Sequence, residues 1–174
     1  VLAGSIPASL PKTLYSDLTK MFSNRGVKVV VDAGGSVLAE VLQEKPFLVK
    51  PNHHELSELF GVSINTVEEV IPFGKKVVEM GAENVIVSMA GDGALLFTNG
   101  KVYSATVPKG KVLNSVGAGD SLVAGFIGTY SKDQDFMKAF QIAVATGSAT
   151  AFSQDLATKV KIDSLLNQVT VKEI

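Results

Sequence analysis

Val27-Lys28-Val29-Val30-Val31-Asp32 is a run rich in β-branched residues, with Gly26 before it and an acidic residue at its end. Because its apolar residues do not alternate strictly with polar ones, the run predicts a strand buried on both faces. Phe47-Leu48-Val49 and residues 84–89 predict two further strands, and helical patterns lie between the three. Strands that alternate with helices predict an α/β fold, a three-layer α/β/α sandwich with a mostly parallel sheet.

The helical patterns have recognisable ends. They cover roughly residues 11–25, 36–44, 53–60 and 66–80, with two more helices near 119–130 and 134–152. Thr66 and Glu69 have the spacing of a capping box, in which each side chain accepts a hydrogen bond from the other residue's amide. Pro72, which follows in the same helix, predicts a kink or a later helix start.

A hairpin interrupts the alternation. Residues 94–107 contain two strand patterns on either side of Asn99-Gly100. This pair accepts the positive φ angles of a type I′ turn, so two adjacent antiparallel strands are predicted.

The composition is typical of one domain that binds a small molecule. The chain has 174 residues, of which 46% are hydrophobic, and 16 basic residues nearly balance 17 acidic ones. That balance gives no basic surface for nucleic acid or for a membrane. The absence of cysteine suits a reducing cytoplasm, and no apolar run reaches the ~18 residues of a membrane helix.

The chain starts with Val1-Leu2-Ala3-Gly4-Ser5, which is typical of the end of a buried strand entering a loop. Because no Met precedes this strand end, we expect residues 1–174 to be the C-terminal part of a single domain whose first half lies upstream.

A glycine-rich turn gives the first functional hypothesis. Within residues 112–126, a predicted short strand leads into Gly117-Ala118-Gly119-Asp120, where a helix is predicted to open at Asp120. Glycines let successive amides point at one ligand, and a helix N-terminus adds free donors and partial positive charge. An acid at this point suits proton transfer from a hydroxyl while the amides hold a phosphoryl group. The alternative is that Asp120 only caps the helix.

Asn52 and Glu55 form a second candidate site. They lie three residues apart at a predicted helix start, so their side chains share one face. Carboxylate and amide oxygens suit Mg²⁺, but the same spacing fits a capping box, and both interpretations stay open. His53 and His54 point about 100° apart on a helix and cannot chelate one ion, so packed or solvated histidines are expected.

Two further stretches are ambiguous by spacing alone. Residues 88–93 follow a predicted strand and fit a turn into the hairpin, since neither a Rossmann fingerprint nor a P-loop is present. Residues 143–151 are mostly small and lie in a predicted helix, which favours close packing of that helix on the sheet.

Five segments together resemble the PfkB/ribokinase family of sugar kinases. The turn ending at Asp120 resembles the family's Gly-Ala-Gly-Asp signature. The other four follow in chain order: residues 1–7 resemble its Ser-Gly-Ser-Leu-Pro loop, 29–35 its Asp-(Thr/Ser)-Ser-Gly strand end, 50–56 its Lys-Pro-Asn-x-x-Glu-Leu segment, and 88–94 its Ser-Leu-Gly-x-x-Gly-Ala loop. The resemblance implies a ribokinase-like fold in which the N-terminal strands, the sugar-contacting residues and the lid are absent from this chain.

The resemblance implies a catalytic role for the glycine-rich turn. Asp120 is the expected catalytic base, with an anion hole formed by Gly117, Ala118 and Gly119. Asn52 and Glu55 are expected to hold Mg²⁺ through water. The side chains at the strand ends are expected to converge on the ligand; they are Asp32, Asn52, Ser88 and Asp120.

The resemblance also implies nucleotide contacts. The residues expected along ATP are Ser88, Met89, Ala90, Gly91, Asp92, Gly93 and Gly119, and Gly147 is expected near the adenine. Here the chain departs from the family, because Ser153-Gln154-Asp155-Leu156 stands where the family usually has a Gly-Thr pair. The departure affects the expected contacts at the edge of the adenine.

The implied activity is transfer of a phosphoryl group from MgATP to a phosphosugar. The chain resembles most the branch with 1-phosphofructokinase and tagatose-6-phosphate kinase, which favours fructose 1-phosphate as acceptor, with tagatose 6-phosphate as the alternative. Two other classes remain as alternatives: a non-catalytic nucleotide-binding regulatory homologue, and a dinucleotide-dependent oxidoreductase, which the missing glycine fingerprint disfavours. A homodimer of the full-length protein is one possible assembly.

Overall fold

The computed structural model describes all residues, Val1–Ile174, as seven strands, seven helices and one short 3-10 turn. The chain separates into two compact units, one of residues 1–89 and 95–102, the other of residues 90–94 and 103–174. The single domain expected from the sequence stays a prediction. None of the helices is both long and apolar enough to cross a membrane.

Parallel strands form the centre of the first unit. In sheet order they are β1 Leu2–Ala3, β2 Val30–Asp32, β3 Leu48–Val49 and β4 Val85–Ser88, followed by the hairpin of β5 Ala94–Thr98 and β6 Lys101–Ala105. Val31 lies opposite Leu2 on one side and Val49 on the other. Val31 and Val49 are fully buried, as expected for a sheet covered on both faces. The predicted α/β class is confirmed.

Four helices connect these strands. They are α1 Leu14–Ser23, α2 Gly35–Leu42, α3 His53–Phe60 and α4 Val67–Glu79. Thr66 is the N-cap of α4, and both halves of its capping box with Glu69 are present. Pro72 lies inside α4, so it does not mark a later start.

Strand β2 begins later than the apolar run that predicted it. Val27 and Lys28 are exposed, while Val29 is buried but lies outside the strand. The neighbouring strand β3 has only two residues, so Val30 is the first residue of β2 with a partner, Leu48. The apolar run located the strand, whereas the length of its neighbour set where pairing begins.

Residues 1–5 contain the end of a strand, as predicted, but that strand is not buried. Val1 and Ala3 are exposed and Leu2 is half-buried. The reason is that β1 is the first strand in the sheet order and pairs only with β2.

The predicted hairpin is confirmed. Asn99 and Gly100, between β5 and β6, have φ angles of 50° and 75°. Two successive positive φ angles are what a type I′ turn requires.

The second unit contains α5 Ala118–Asp133, α6 Phe136–Ala151 and α7 Lys159–Leu166, with the end of β6 paired antiparallel to β7 Val171–Glu173. Helices α5 and α6 were predicted and pack very closely. A Cβ added at Gly125 would lie 2.7 Å from Thr146 Oγ1. Helix α7 and strand β7 were not predicted.

The short strand predicted within residues 112–116 is wrong. The segment is irregular, and Val116 is 78% exposed. The amides of Leu113 and Asn114 donate to the Ala151 carbonyl at 2.8 and 3.2 Å, not to a neighbouring strand. Residues 112–116 therefore belong to a loop that is attached to the end of helix α6.

Candidate functional site

The glycine-rich turn forms the N-terminus of α5. Gly117 is the N-cap, in the left-handed conformation with φ 76°, and the helix begins at Ala118, two residues earlier than predicted. A side chain at Gly117 would be strained by this φ angle, and its Cβ would lie 3.3 Å from Leu156 Cδ2. The backbone of the turn therefore requires glycine at this position.

Asp120 is the third residue of α5 and is exposed. Because Gly117 is the cap and the Asp120 side chain makes no capping hydrogen bond, the interpretation of Asp120 as a helix cap is wrong. Its carboxylate has neither a hydrogen bond nor an ion pair with another residue, so both oxygens are available to a ligand.

The first turn of α5 has free backbone donors. The amide of Ala118 donates to the Ser115 carbonyl at 3.2 Å, whereas the amides of Gly117, Gly119 and Asp120 have no acceptor in the protein. A helix cannot satisfy its own first N–H groups, and its N-terminus carries a partial positive charge. The turn can therefore bind an anion through the free amides, with Ala118 already engaged.

Asn52 and Glu55 form a complete capping box at the start of α3. Asn52 Oδ1 accepts a hydrogen bond from the Glu55 amide at 2.9 Å, and Glu55 Oε2 accepts from the Asn52 amide at 2.8 Å. The capping interpretation is confirmed. Oε1 of Glu55 lies outside the box, so the role in holding Mg²⁺ through water stays a prediction. The structure has no group of three His, Cys, Asp or Glu side chains that could bind a metal directly.

Glu55 also lies against Gly34, a glycine that follows β2. A Cβ added at Gly34 would lie 2.8 Å from Glu55 Cγ and 3.1 Å from Oε1. Gly34 has an ordinary φ of −109°, so the nearby carboxylate, and not the backbone angle, accounts for glycine here. The Glu55 side chain is thus held between the capping box and this segment.

Lys50 is a residue whose importance the sequence reasoning missed. Its Nζ lies 3.0 Å from Asp32 Oδ1, and the two side chains are only 6% and 15% exposed. Asp32 ends β2 and Lys50 directly follows β3, and these parallel strands pair Val31 with Val49. A buried lysine needs a partner of opposite charge. The signal was a lysine and an acid directly after two neighbouring buried strands.

Ser88 ends β4 and lies beside Asn52. Its amide donates to the Pro51 carbonyl at 3.2 Å, and Ser88 and Asn52 form an isolated parallel bridge. Asn52 and Ser88, two of the four residues expected to converge, are therefore brought together. The convergence of these side chains with Asp120 stays a prediction.

Residues 89–93 divide into core and exposed positions. Met89 is buried, so only its backbone is available to a ligand, whereas Ala90, Gly91 and Asp92 are exposed in a 3-10 turn. A Cβ added at Gly93, where φ is 113°, would lie 2.5 Å from the carbonyl oxygen of Ala105. A Cβ at Gly91 would meet no atom within 4 Å. The fold therefore accounts for glycine at 93 but not at 91.

Gly147 is buried against α5. Its added Cβ would lie 3.0 Å from the Ala118 carbonyl oxygen and 3.2 Å from Leu122 Cβ. Close packing therefore accounts for this glycine, although the partner is a helix and not the expected sheet. Its expected place near adenine stays a prediction.

His53 and His54 lie side by side in the first turn of α3. Their ring centroids are 3.9 Å apart with a tilt of 39°, and Nδ1 of His53 is buried without a hydrogen-bond partner. His53 is therefore partly packed and His54 is exposed, in keeping with packed or solvated histidines.

Known proteins resemble the whole chain. It matches the family of pfkB carbohydrate kinases over residues 1–162. The 1-phosphofructokinase of Bacillus subtilis (strain 168) is 55% identical over 174 residues, which are 100% of this chain and 57% of that protein. The tagatose-6-phosphate kinase of Staphylococcus epidermidis (strain ATCC 12228) is 32% identical over 179 residues, covering 100% of this chain and 58% of that protein.

A solved structure shares the fold. Phosphofructokinase-2 of Escherichia coli, in complex with substrates and products, matches with a TM-score of 0.87 and 25% identity, over 97% of this chain and 58% of that one. The chain thus spans little more than half the length of these relatives. The predicted ribokinase-like α/β fold is confirmed, and the chain belongs to the pfkB family of carbohydrate kinases.

Proposed function

We propose that the full-length protein transfers the γ-phosphoryl group of ATP to fructose 1-phosphate, giving fructose 1,6-bisphosphate and ADP. One observation carries the proposal: the exposed carboxylate of Asp120 lies beside free backbone amides at the N-terminus of the 16-residue helix α5. The arrangement supports the proposal because phosphoryl transfer to a hydroxyl needs a proton acceptor and an anion site close together.

Asp120 acts as the catalytic base. Its carboxylate takes the proton of the acceptor hydroxyl, whose oxygen forms a bond to the γ-phosphorus. The bond from that phosphorus to the bridging oxygen breaks, and ADP leaves with the electron pair. Because no protein group occupies the carboxylate oxygens, Asp120 can accept the proton without first breaking an internal contact.

The amides of Gly117, Gly119 and Asp120 hold the oxygens of the transferring group. They are fixed by the helix and its left-handed cap, so they need little reorganisation as charge shifts during the reaction. The Ala118 amide does not hold the transferring group, because it already donates to the Ser115 carbonyl. Ala118 only links Gly117 to Gly119 in the turn.

Asn52 and Glu55 hold Mg²⁺ through water molecules. The donor set fits, because Mg²⁺ prefers oxygen ligands and keeps several waters, and Oε1 of Glu55 lies outside the capping box. When bound, the ion neutralises charge on the nucleotide phosphates. The capping box and Gly34 fix the direction of the Glu55 carboxylate, so its free oxygen is presented at a defined place.

Residues 88–93 run along the nucleotide. The open space around Gly91 and the exposure of Asp92 support this assignment, since a ligand could approach the backbone there. Met89 would contribute its backbone only. Near the adenine, Gly147 would act by setting how closely α6 approaches α5.

Fructose 1-phosphate is the favoured acceptor. The relative named 1-phosphofructokinase is 55% identical to this chain, whereas the relative named tagatose-6-phosphate kinase is 32% identical. A reducing cytoplasm is the proposed location, which the absence of cysteine supports.

The test is a substrate panel. Full-length protein is incubated with MgATP and, separately, fructose 1-phosphate, fructose 6-phosphate, tagatose 1-phosphate and tagatose 6-phosphate, and ADP release is followed. We expect the highest kcat/KM with fructose 1-phosphate. A higher value with tagatose 6-phosphate would select the alternative acceptor. ATP binding without turnover of any of the four sugars would indicate a non-catalytic homologue.

A further inference from the structure

One face of α6 supports the turn that carries Asp120. Gly147, Thr150 and Ala151 lie three and four residues apart, so they share one face of the helix. Gly147 lies against the Ala118 carbonyl at the start of the turn. The Ala151 carbonyl accepts two amides from the loop that leads into the turn. Helix α6 therefore contacts the turn at more than one point.

Thr150 makes the polar contact of this face. Its Oγ1 donates to Ser121 Oγ at 2.9 Å and accepts from the Ala157 amide at 3.3 Å. Thr150 is 2% exposed and Ser121 9%, so water does not compete for these hydroxyls. The hydroxyl thus joins α5, α6 and the segment that follows α6.

Both partners of Thr150 adjoin the turn. Ser121 is the residue after Asp120, and its amide donates to the Gly117 carbonyl at 2.8 Å, closing the first turn of α5. Ala157 follows Leu156, whose Cδ2 lies next to Gly117. The Thr150 hydroxyl therefore holds two groups in place: Ser121, which follows Asp120, and Ala157, whose neighbour Leu156 lies beside Gly117.

Packing alone does not require threonine at this position. Valine has nearly the same shape, but it can neither donate to Ser121 nor accept from Ala157. Buried Ser121 and half-buried Ala157 would then each lose a hydrogen-bond partner. What threonine adds over valine is therefore the pair of hydrogen bonds, which fix the first turn of α5 relative to α6.

We propose that Thr150 is a positioning residue for the reaction, and that its hydroxyl, through Ser121, holds the Asp120 carboxylate and the neighbouring free amides in place. The inference rests on the proposed function for the role of Asp120. Because Thr150 is only 2% exposed, it acts on kcat through the geometry of the turn, and its loss leaves ATP binding largely intact.

The experiment compares four single variants and one double variant of the full-length protein. Thr150→Val removes both hydrogen bonds at nearly constant shape, Thr150→Ser keeps the hydroxyl, and Ser121→Ala removes the partner. The matched control is Thr19→Val, because Thr19 is also buried and its hydroxyl donates to the Tyr15 carbonyl in α1 at 2.7 Å. The same measurements are made on the double variant of Ser121→Ala and Thr150→Val.

The kinetic readout is the split between kcat and KM. Thr150→Val should lower kcat by ~10- to 100-fold, the usual cost of a small misplacement in a catalytic site. The KM for ATP should stay within about twofold, because the change removes no interaction that ATP makes equally in the ground state and in the transition state. Thr150→Ser should restore most of the rate. The double variant should be little worse than Thr150→Val, since both changes remove the same contact.

The second readout is amide hydrogen exchange, which needs no kinase activity. Thr150→Val should speed exchange of the hydrogen-bonded amides within residues 113–122 and 156–158 by ~10- to 100-fold, because two hydrogen bonds are lost. Thr19→Val should leave these residues unchanged.

The outcomes separate this inference from the proposed function. Unchanged exchange in residues 113–122, or equal loss of kcat in Thr150→Val and Thr19→Val, would overturn the positioning role. An inactive wild-type protein would overturn the proposed function, and faster exchange in Thr150→Val would then still support Thr150 as the group that orders the turn. Slow turnover in Thr150→Val, rescue in Thr150→Ser and an unaffected control would support both.

Discussion

Helices α3 and α5 both have an acidic residue in third position, Glu55 and Asp120, yet the two carboxylates are used differently. Glu55 accepts a hydrogen bond from the amide of its own N-cap, Asn52, and Asn52 accepts one in return. Asp120 binds no residue, and the amide it carries is free. The third residue of α3 thus has its amide and one carboxylate oxygen hydrogen-bonded within the protein, whereas the amide and carboxylate of the third residue of α5 are open to a ligand.

The N-cap residue accounts for the difference. Asn52 has an extended backbone and a side-chain oxygen that reaches the third amide, whereas Gly117 is left-handed and has no side chain. Aspartate is also one methylene shorter than glutamate, which makes the return bond to the cap harder to form. A glycine cap followed by aspartate therefore leaves both a base and its neighbouring amides available.

The largest effect should come from removing the free carboxylate. Asp120→Asn keeps the size of the side chain but cannot take a proton, so kcat with fructose 1-phosphate should fall by ~10²–10⁴-fold. The melting temperature should change little, because the side chain makes no contact that would be lost. Steady-state kinetics and a melting curve on the same preparation measure both.

Asp133→Asn is the matched control for that variant. Asp133 is an exposed aspartate at the other end of α5, where it pairs with Lys138. Its replacement should leave kcat unchanged. Near-wild-type turnover in Asp120→Asn, or an equal loss in Asp133→Asn, would rule out Asp120 as the base.

Much of the first unit could be predicted because three of its strands, β2, β3 and β4, are buried on both faces. The runs that became β2, β3 and β4 have apolar residues in succession, and burial of that kind is visible in a single sequence. Strand length was not visible, because it depends on how far the neighbouring strand extends. Residues 112–116 were wrongly predicted as a strand. Val112 and Leu113 are apolar, but both are exposed in a loop.

The elements missed in the second unit have weak apolar patterns. In α7 only Leu165 is buried and Val160 is 80% exposed, while the residues of β7 are half-buried or exposed. Of the candidate site, the glycine turn was predictable from local residues. The ion pair of Lys50 with Asp32 was missed, because its sequence signal has a meaning only once β2 and β3 are known to be neighbours.

The second prediction concerns Glu55, whose carboxylate has one oxygen outside the capping box. Glu55→Gln keeps an acceptor for the Asn52 amide, so the capping box and the melting temperature should be preserved. The Mg²⁺ concentration for half-maximal rate should rise by ~10-fold, as is found for other residues that hydrogen-bond to the ligands of a metal and not to the metal itself. A Mg²⁺ titration of the kinase rate with an unchanged midpoint would mean that Glu55 only caps α3.

The third prediction concerns the cap itself. Asn52→Ala removes the side-chain oxygen that the Glu55 amide uses, so the free energy of unfolding should fall by ~0.5–2 kcal/mol. Denaturant unfolding measures the loss, with Asp120→Asn as the contrasting variant because no cap is lost there. If Asn52→Ala and Asp120→Asn lowered the free energy of unfolding equally, the N-terminus of α3 would not depend on its cap more than that of α5 does.

The smallest effect is expected at Gly91, which is best compared with Gly93, a second glycine of the same loop. Gly93→Ala must strain a residue at φ 113° and force its Cβ towards the Ala105 carbonyl, so stability should fall by ~1–3 kcal/mol. Gly91→Ala meets no protein atom, so stability should not change. If the nucleotide lies against this backbone, a methyl group there should raise the KM for ATP by about two- to tenfold, the equivalent of one hydrogen bond. Measured together, the unfolding curves and the ATP dependence of the rate distinguish a glycine kept for the fold from one kept for the ligand. An unchanged KM in Gly91→Ala would place the nucleotide away from residues 90–92.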